Sequence, residues 1–408
     1  MTETIIVKNV RPWGGAATDV TIAAGRITKF GSATVWNDAK VIDGAGAILL
    51  PGFVEAHTHL DKTLYGMAWN PNDVGSTLVE KITNERDSKS RLGLDPARQS
   101  ARQVALSVAH GTTHIRSHVD IDTEHGLKGV LGVMATREKY ADVIDLEIVA
   151  FPQSGMLIRQ GTKELMDEAL SLGTEVVGGL DPCSMDLDPK NHLDVVFGLA
   201  EKHGKPIDIH LHELGELGAF SMRLIIDRTR AHAMGGKVTV SHAFCLGHND
   251  YLAVGRLLEQ LAEAGIAIMT TGPAGYPCPP LIRTLDAGIT VCSGSDGIRD
   301  CWSPYGNADM LERAIFLGMR NDLDRDADLR RAVEVVTTGG AAVMGIEGYG
   351  LGIGDMADLV LIEGETLAEA VVSRRNRPLV MKRGKVVARD GAALFATESR
   401  YARPAASQ

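Results

Sequence analysis

PGFVEAHTHLDK, residues 51–62, is the stretch from which the fold can be read. An apolar run ends in His57-Thr58-His59, two histidines separated by one residue. On a strand that spacing sends both imidazoles to one face. Two converging imidazoles need a shared partner, and a divalent metal is the usual one. Working outward, runs of strand length recur: AILLPGFVEAHTH (47–59), TTHIRSHVD (112–120), LEIVAFPQ (146–153), EVVGGLDP (175–182), PIDIHLHE (206–213), VTVSHAF (238–244), GIAIMTTGP (265–273) and ITVCSGSD (289–296). Between several of them lie helix-like segments such as LDVVFGLAEKHG and DYLAVGRLLEQLAEAGI, each meeting a glycine near its end. Near-continuous apolar strands alternating with helices predict an α/β fold, a parallel (β/α)8 barrel over residues 51–349. The connection from about residue 60 to 110 is the longest and is long enough for a lid.

The chain ends have a different texture. Residues 1–50 are short β-like runs broken by glycine, and ADLVLIEG (357–364) and RPLVMKRGKVVARDG (377–391) repeat the pattern. Residues 1–50 and 350–408 are therefore expected to form a small β domain. The 408 residues carry 42 Lys+Arg against 52 Asp+Glu, a net charge of −10, so the basic excess of a nucleic-acid binder is missing. The start, MTETIIVKNV, has no apolar signal core, and no run approaches a membrane span. Cys183, Cys245, Cys278, Cys292 and Cys301 form no C-x-x-C and read as free thiols, which points to a cytoplasmic protein.

Chemistry in such a barrel sits at the C-terminal strand ends. Those ends carry His57 and His59, Gln153, His210 with His212 and Glu213, Ser241-His242, and Ser295-Asp296. Three or four N/O ligands with an open position define a catalytic metal site, which lowers the pKa of water towards ~7. Asp296 is placed to accept that water's proton. Glu213, three residues past His210, is a candidate to carry a proton to a leaving nitrogen; its plainer reading is a first-turn helix carboxylate. His110 and His114 read as structural. His118 with Asp120 points inward, behind the ligands, and Arg116 reads as a buried ion pair.

These residues carry a resemblance. PGFVEAHTHLDK and the tail GYGLGIGDMADLVLI (348–362) resemble the amidohydrolase superfamily, over nearly the whole chain. That resemblance implies a distorted barrel with a small β-sandwich built from both chain ends. THIRSHVD, LEIVAFPQ, VVGGLDP, IDIHLHE and TVSHAF are similar to its cytosine deaminase branch, which binds one iron or zinc ion. By that resemblance His57, His59, His210 and Asp296 hold the metal, and His242 and Glu213 flank water and substrate. Gln153 reads the ring through its amide, and Leu78 lines the ring edge. No lysine stands in VVGGLDPCS to bridge a second metal.

The stretch DGIRDCWSPYGNADM (296–310) departs from that branch and resembles N-isopropylammelide aminohydrolases, triazine-degrading relatives. The branch has a second aspartate where this chain has Gly297. Loss of that side chain predicts room for a 5-methyl group, and Trp302 is expected over the pocket mouth or at its rim. The resulting expectation is hydrolytic deamination of cytosine or a 5-substituted cytosine such as 5-methylcytosine, by one divalent zinc or iron ion. The alternatives are N-alkylamino triazine hydrolysis, cyclic-amide hydrolysis, or a non-catalytic ligand-binding barrel. The expected partner is a small heterocycle, with no nucleic acid polymer and no membrane, and the relatives imply a homo-oligomer.

Overall fold

The computed structural model describes residues 4–32, 39–247 and 250–397. Five strands open the chain: β1 (Thr4–Pro12), β2 (Thr18–Ala23), β3 (Arg26–Phe30), β4 (Lys40–Asp43) and β5 (Ile48–Pro51). Eight follow in the middle: β6 (Phe53–Thr58), β7 (Thr112–Asp120), β8 (Asp145–Phe151), β9 (Val176–Leu180), β10 (Ile207–His210), β11 (Val238–Ser241), β12 (Ile266–Met269) and β13 (Val291–Cys292). The last are β14 (Leu359–Ile362), β15 (Leu379–Lys382), β16 (Lys385–Arg389) and β17 (Ala392–Ala393).

Strands β6 to β13 pair in sequence order, all parallel. Helices lie between them, and their apolar faces join the strands in one large buried core. Gly204 and Gly265 end two of these helices in the left-handed conformation, at φ +65° each, where a side chain would be strained. The barrel closes between its first and last strands. Ala56 N donates to Ser293 O (3.1 Å), Asp296 N donates to His57 O (2.9 Å), and Thr58 bridges to Asp296 in parallel register.

The remaining strands form one nine-stranded sheet in the order β17-β16-β15-β14-β5-β1-β2-β3, with β4 added on β1. It has its own apolar cluster, including Val7, Val20, Ile22, Leu49, Leu359 and Met381. The outermost residues assigned to this small domain, 1–3 and 398–408, lie outside the described residues. The run AILLPGFVEAHTH is not one strand. Ile48–Pro51 pairs antiparallel with β14, whereas Phe53–Thr58 pairs parallel with β7. Gly52 is the crossing point. Its N–H goes to Asp358 O (2.8 Å), and a Cβ there would lie 2.3 Å from the Thr113 methyl. ITVCSGSD likewise contributes only two strand residues before the chain turns to present Asp296.

A buried charge cluster fastens the small sheet to the barrel. Lys382 on β15, fully buried, donates to Asp358 Oδ2 (2.7 Å) and lies 2.7 Å from Asp145 Oδ2. His114 Nε2 sits 3.1 Å from the same ammonium. Removing one partner of a buried pair strands the other charge, at a cost of about 3–5 kcal/mol. Lys382→Met is expected to lower unfolding stability by that order, read as a shifted denaturant midpoint. A shift worth under ~1 kcal/mol, the value of an exposed pair, would contradict this role.

Candidate metal centre

His57 lies on β6 and His59 just beyond its end, both facing the barrel interior. His57 Nδ1 is 3.1 Å from Ser241 Oγ, and that hydroxyl donates to Asp208 Oδ1 (2.6 Å). With the hydroxyl proton committed to Asp208, Ser241 can only accept from His57 Nδ1–H. His57 Nε2 is thereby left bare, the tautomer a metal ligand needs. His57 Nε2, both nitrogens of His210 and His242 Nε2 are buried without a hydrogen-bond partner. One ring nitrogen from each of these three lies within 4.8 Å of the other two. His57, His59 and Asp296 form a second such group, with His59 Nε2 3.2 Å from Asp296 Oδ1.

Bare buried nitrogens are costly, and a cation satisfies them. Burial lowers the pKa of His57 and His210 well below the usual imidazole value and that of His242 to about 3, so these rings are neutral donors. Three or four imidazoles with one carboxylate fit one divalent ion of the zinc or ferrous type. His242 (φ +70°) and Asp296 (φ +62°) both hold left-handed backbone, a strain that persists where surrounding structure imposes it. Glu55 helps impose it on the Asp296 side by accepting Ser295 N (2.7 Å) and Ser295 Oγ (2.5 Å).

Behind the cluster, the His118 ring lies 4.0 Å from that of His57, and its Nε2 is 3.5 Å from Asp208. Arg116 is a buried ion pair, with Glu147 (2.5 Å) and Asp208 (3.2 Å). Asp120 partners lysines rather than His118: Lys62 at 3.2 Å and Lys89 at 2.5 Å. Sequence reasoning assigned Lys62 no role although it ends the opening motif. Its ammonium also meets Glu85 (3.1 Å) and donates to Gln153 Oε1 (2.7 Å). Because an ammonium only donates, this contact fixes the Gln153 carbonyl oxygen through one of its two lone pairs and so orients the amide. Glu85 and Lys89 come from the helix Leu78–Arg91, inside the long first connection. Leu78 and Trp302 pack on Ile82, Phe151, Leu180 and Met185, and the Phe151 ring stacks on His210 at 4.1 Å. The Trp302 indole N–H donates to Glu85.

Glu213 Oε1 accepts from Cys183 N (2.8 Å) and Ser184 N (2.7 Å), and Oε2 accepts from Ser221 Oγ. Its carboxylate is thus seated on the turn after β9. His212 also faces the cluster, stacked on His242 at 4.3 Å with Nδ1 held by Asp181 Oδ2 (2.8 Å). The expectation of free space at Gly297 is corrected: a Cβ there would lie 1.9 Å from Asp300 Oδ2, so a carboxyl already fills that volume.

The Ser241 relay carries a test. Removing a partner that orients a ligating histidine costs about 10- to 100-fold in metal affinity. Ser241→Ala is expected to show that loss in competition with a chelator. Unchanged metal retention would mean His57 is oriented by other contacts.

Residues 40–388 match the model of the amidohydrolase family. The N-isopropylammelide isopropyl amidohydrolase of Pseudomonas sp. (strain ADP) is 31% identical over 379 residues, 91% of this chain and 94% of that protein. The crystal structure of N-isopropylammelide isopropylaminohydrolase from Burkholderia multivorans ATCC 17616 superposes with a TM-score of 0.93 at 47% identity, covering 96% of this chain and 100% of that one. The 5-methylcytosine deaminase of Klebsiella pneumoniae, liganded with 5-fluorocytosine, gives 0.82 at 28% identity over 98% and 99% of the two chains. The described residues contain no helix long and apolar enough to cross a membrane. With its barrel and its histidine–aspartate cluster, the chain belongs to the amidohydrolase family and is a hydrolase of carbon–nitrogen bonds.

Proposed function

We propose that the enzyme removes the exocyclic amine from a small oxo-substituted nitrogen heterocycle, cytosine or a 5-substituted cytosine, with release of ammonia. The observation that carries this reading is the pairing of Lys62 with Gln153 beside the histidine–aspartate cluster. The amide N–H of Gln153, whose carbonyl oxygen is anchored by Lys62, suits a ring carbonyl, and the cluster suits hydrolysis at the neighbouring amidine carbon. His57, His59, His210 and Asp296 are the proposed metal ligands, with His242 next to them. A single divalent ion there supplies Lewis acidity and lowers the pKa of water towards ~7. Asp296 and His242 take up and hold the proton released on attack. Glu213 carries a proton to the ring nitrogen. Leu78 and Trp302 hold the ring between apolar surfaces, which also exclude water.

A second reading, hydrolysis of an N-alkylamino triazine, has its own support. The Burkholderia relative is 47% identical. Phe244 lies 5.6 Å from both His212 and His242 and stacks on Tyr276 at 5.1 Å, an apolar pair suited to an alkylamine. The filled volume at Gly297 removes the argument for preferring a 5-methyl ring.

Metal-analysed protein assayed with cytosine, 5-methylcytosine and N-isopropylammelide separates the readings. Ammonia from either pyrimidine supports the first, isopropylamine from the triazine supports the second, and no amine from any overturns both. Glu213→Gln is expected to keep metal and lower kcat by about 10²–10⁴-fold. Near-normal turnover would transfer the proton role to His212.

A further inference from the structure

The residue after the ligand Asp296 is a glycine, and the space its side chain would take belongs to Asp300. Asp300 is 6% exposed. Its two oxygens have different duties. Oδ1 accepts from Trp302 N (2.8 Å) and Ser303 N (2.9 Å), which fixes the carboxyl on the loop. Oδ2 points at Gly297 and carries no hydrogen bond among the described residues. Burial raises the pKa of this carboxyl, while the charge of Lys62 acts to lower it. Trp302, whose backbone N–H Asp300 holds, has its indole ring 5.5 Å from the Lys62 ammonium, so the carboxyl stands on the loop that joins Asp296 to the Lys62–Gln153 wall.

We infer that Asp300 is a specificity-determining residue, whose Oδ2 accepts a hydrogen bond from a ring N–H of the substrate. The inference rests on the proposed heterocycle hydrolysis. An acceptor paired with the Gln153 amide N–H complements a lactam edge, in which N–H stands beside C=O. Gly297 is then required because any side chain there displaces the reading carboxyl. The carboxyl has moved three residues along the chain relative to a side chain at 297 but reaches the same volume.

Asp300→Asn separates reading from scaffolding. Asparagine keeps an oxygen for Trp302 N and Ser303 N and puts an N–H donor where Oδ2 was. The probes are whichever of cytosine, 5-methylcytosine and N-isopropylammelide the wild type turns over, and the analogue of that substrate methylated at the ring N–H. The variant is expected to raise KM about 10- to 100-fold, the cost of losing a hydrogen bond to a charged group. kcat changes less, metal content and Tm stay as in wild type, and discrimination against the methylated ring disappears. Wild-type KM and discrimination would overturn the assignment while leaving the heterocycle hydrolysis intact. No turnover of any probe by the wild type would overturn both. Should Asp300→Asn lose metal or fold poorly, Asp300→Ala is compared with Asp300→Ala plus Gly297→Asp. Recovery of KM by the second supports a carboxyl needed in that volume, and no recovery overturns it.

Discussion

Closure of the barrel between its first and last strands is the constraint on which the site depends. Two backbone hydrogen bonds, a third from Thr58 Oγ1 to Asp296 O, and one bridge join residues 56–58 to residues 293–296, and they bring Asp296 beside His57 and His59. Closure has local costs. Asp296 and His242 sit in left-handed backbone. Burial pushes the carboxyl of Glu55 up to about 7 while it holds Ser295. These strained and desolvated groups are tolerated because the core packed behind them leaves the backbone little alternative.

Around that closure the polar interior is arranged in two directions. Below the histidine–aspartate cluster runs the chain His57–Ser241–Asp208–Arg116–Glu147, which settles which nitrogen of His57 is bare. To the side, Lys62 and Lys89 share Glu85 and Asp120 and orient Gln153. Buried charges of this kind add little net stability over an apolar core. Their value here is orientation, since each ammonium is held by two carboxylates and Lys62 fixes the Gln153 amide. The helix that supplies Glu85 and Lys89 belongs to the long first connection, so the Lys62–Gln153 arrangement depends on that insertion being docked.

Much of this was legible in the sequence because strand ends announce themselves: an apolar run followed by His, Gln or Asp recurs, and the resemblance to the amidohydrolases matches it. Other features were hidden by physics that acts across the chain. The break at Pro51–Gly52 leaves no trace in hydrophobicity, because strands on both sides of it are buried. The Lys62–Glu85 pair spans a helix whose docking no local pattern reveals. At Gly297 the sequence shows a missing side chain, yet the loop returns Asp300 to fill the space, so absence of a residue was misread as absence of a group. Glu213 stands at a spacing that suggests a site residue, and only coordinates reveal that its oxygens meet Cys183 N, Ser184 N and Ser221.

The central claim is that this histidine–aspartate cluster binds one divalent ion on which amine release from a small heterocycle depends. The most direct measurement is amine release against metal content as the protein is stripped by a chelator and then reloaded with zinc or ferrous iron. The account predicts about one ion per chain, with activity falling as metal is removed and returning with the metal. Full activity in metal-free protein, or no bound metal in protein that retains its fold, would contradict it.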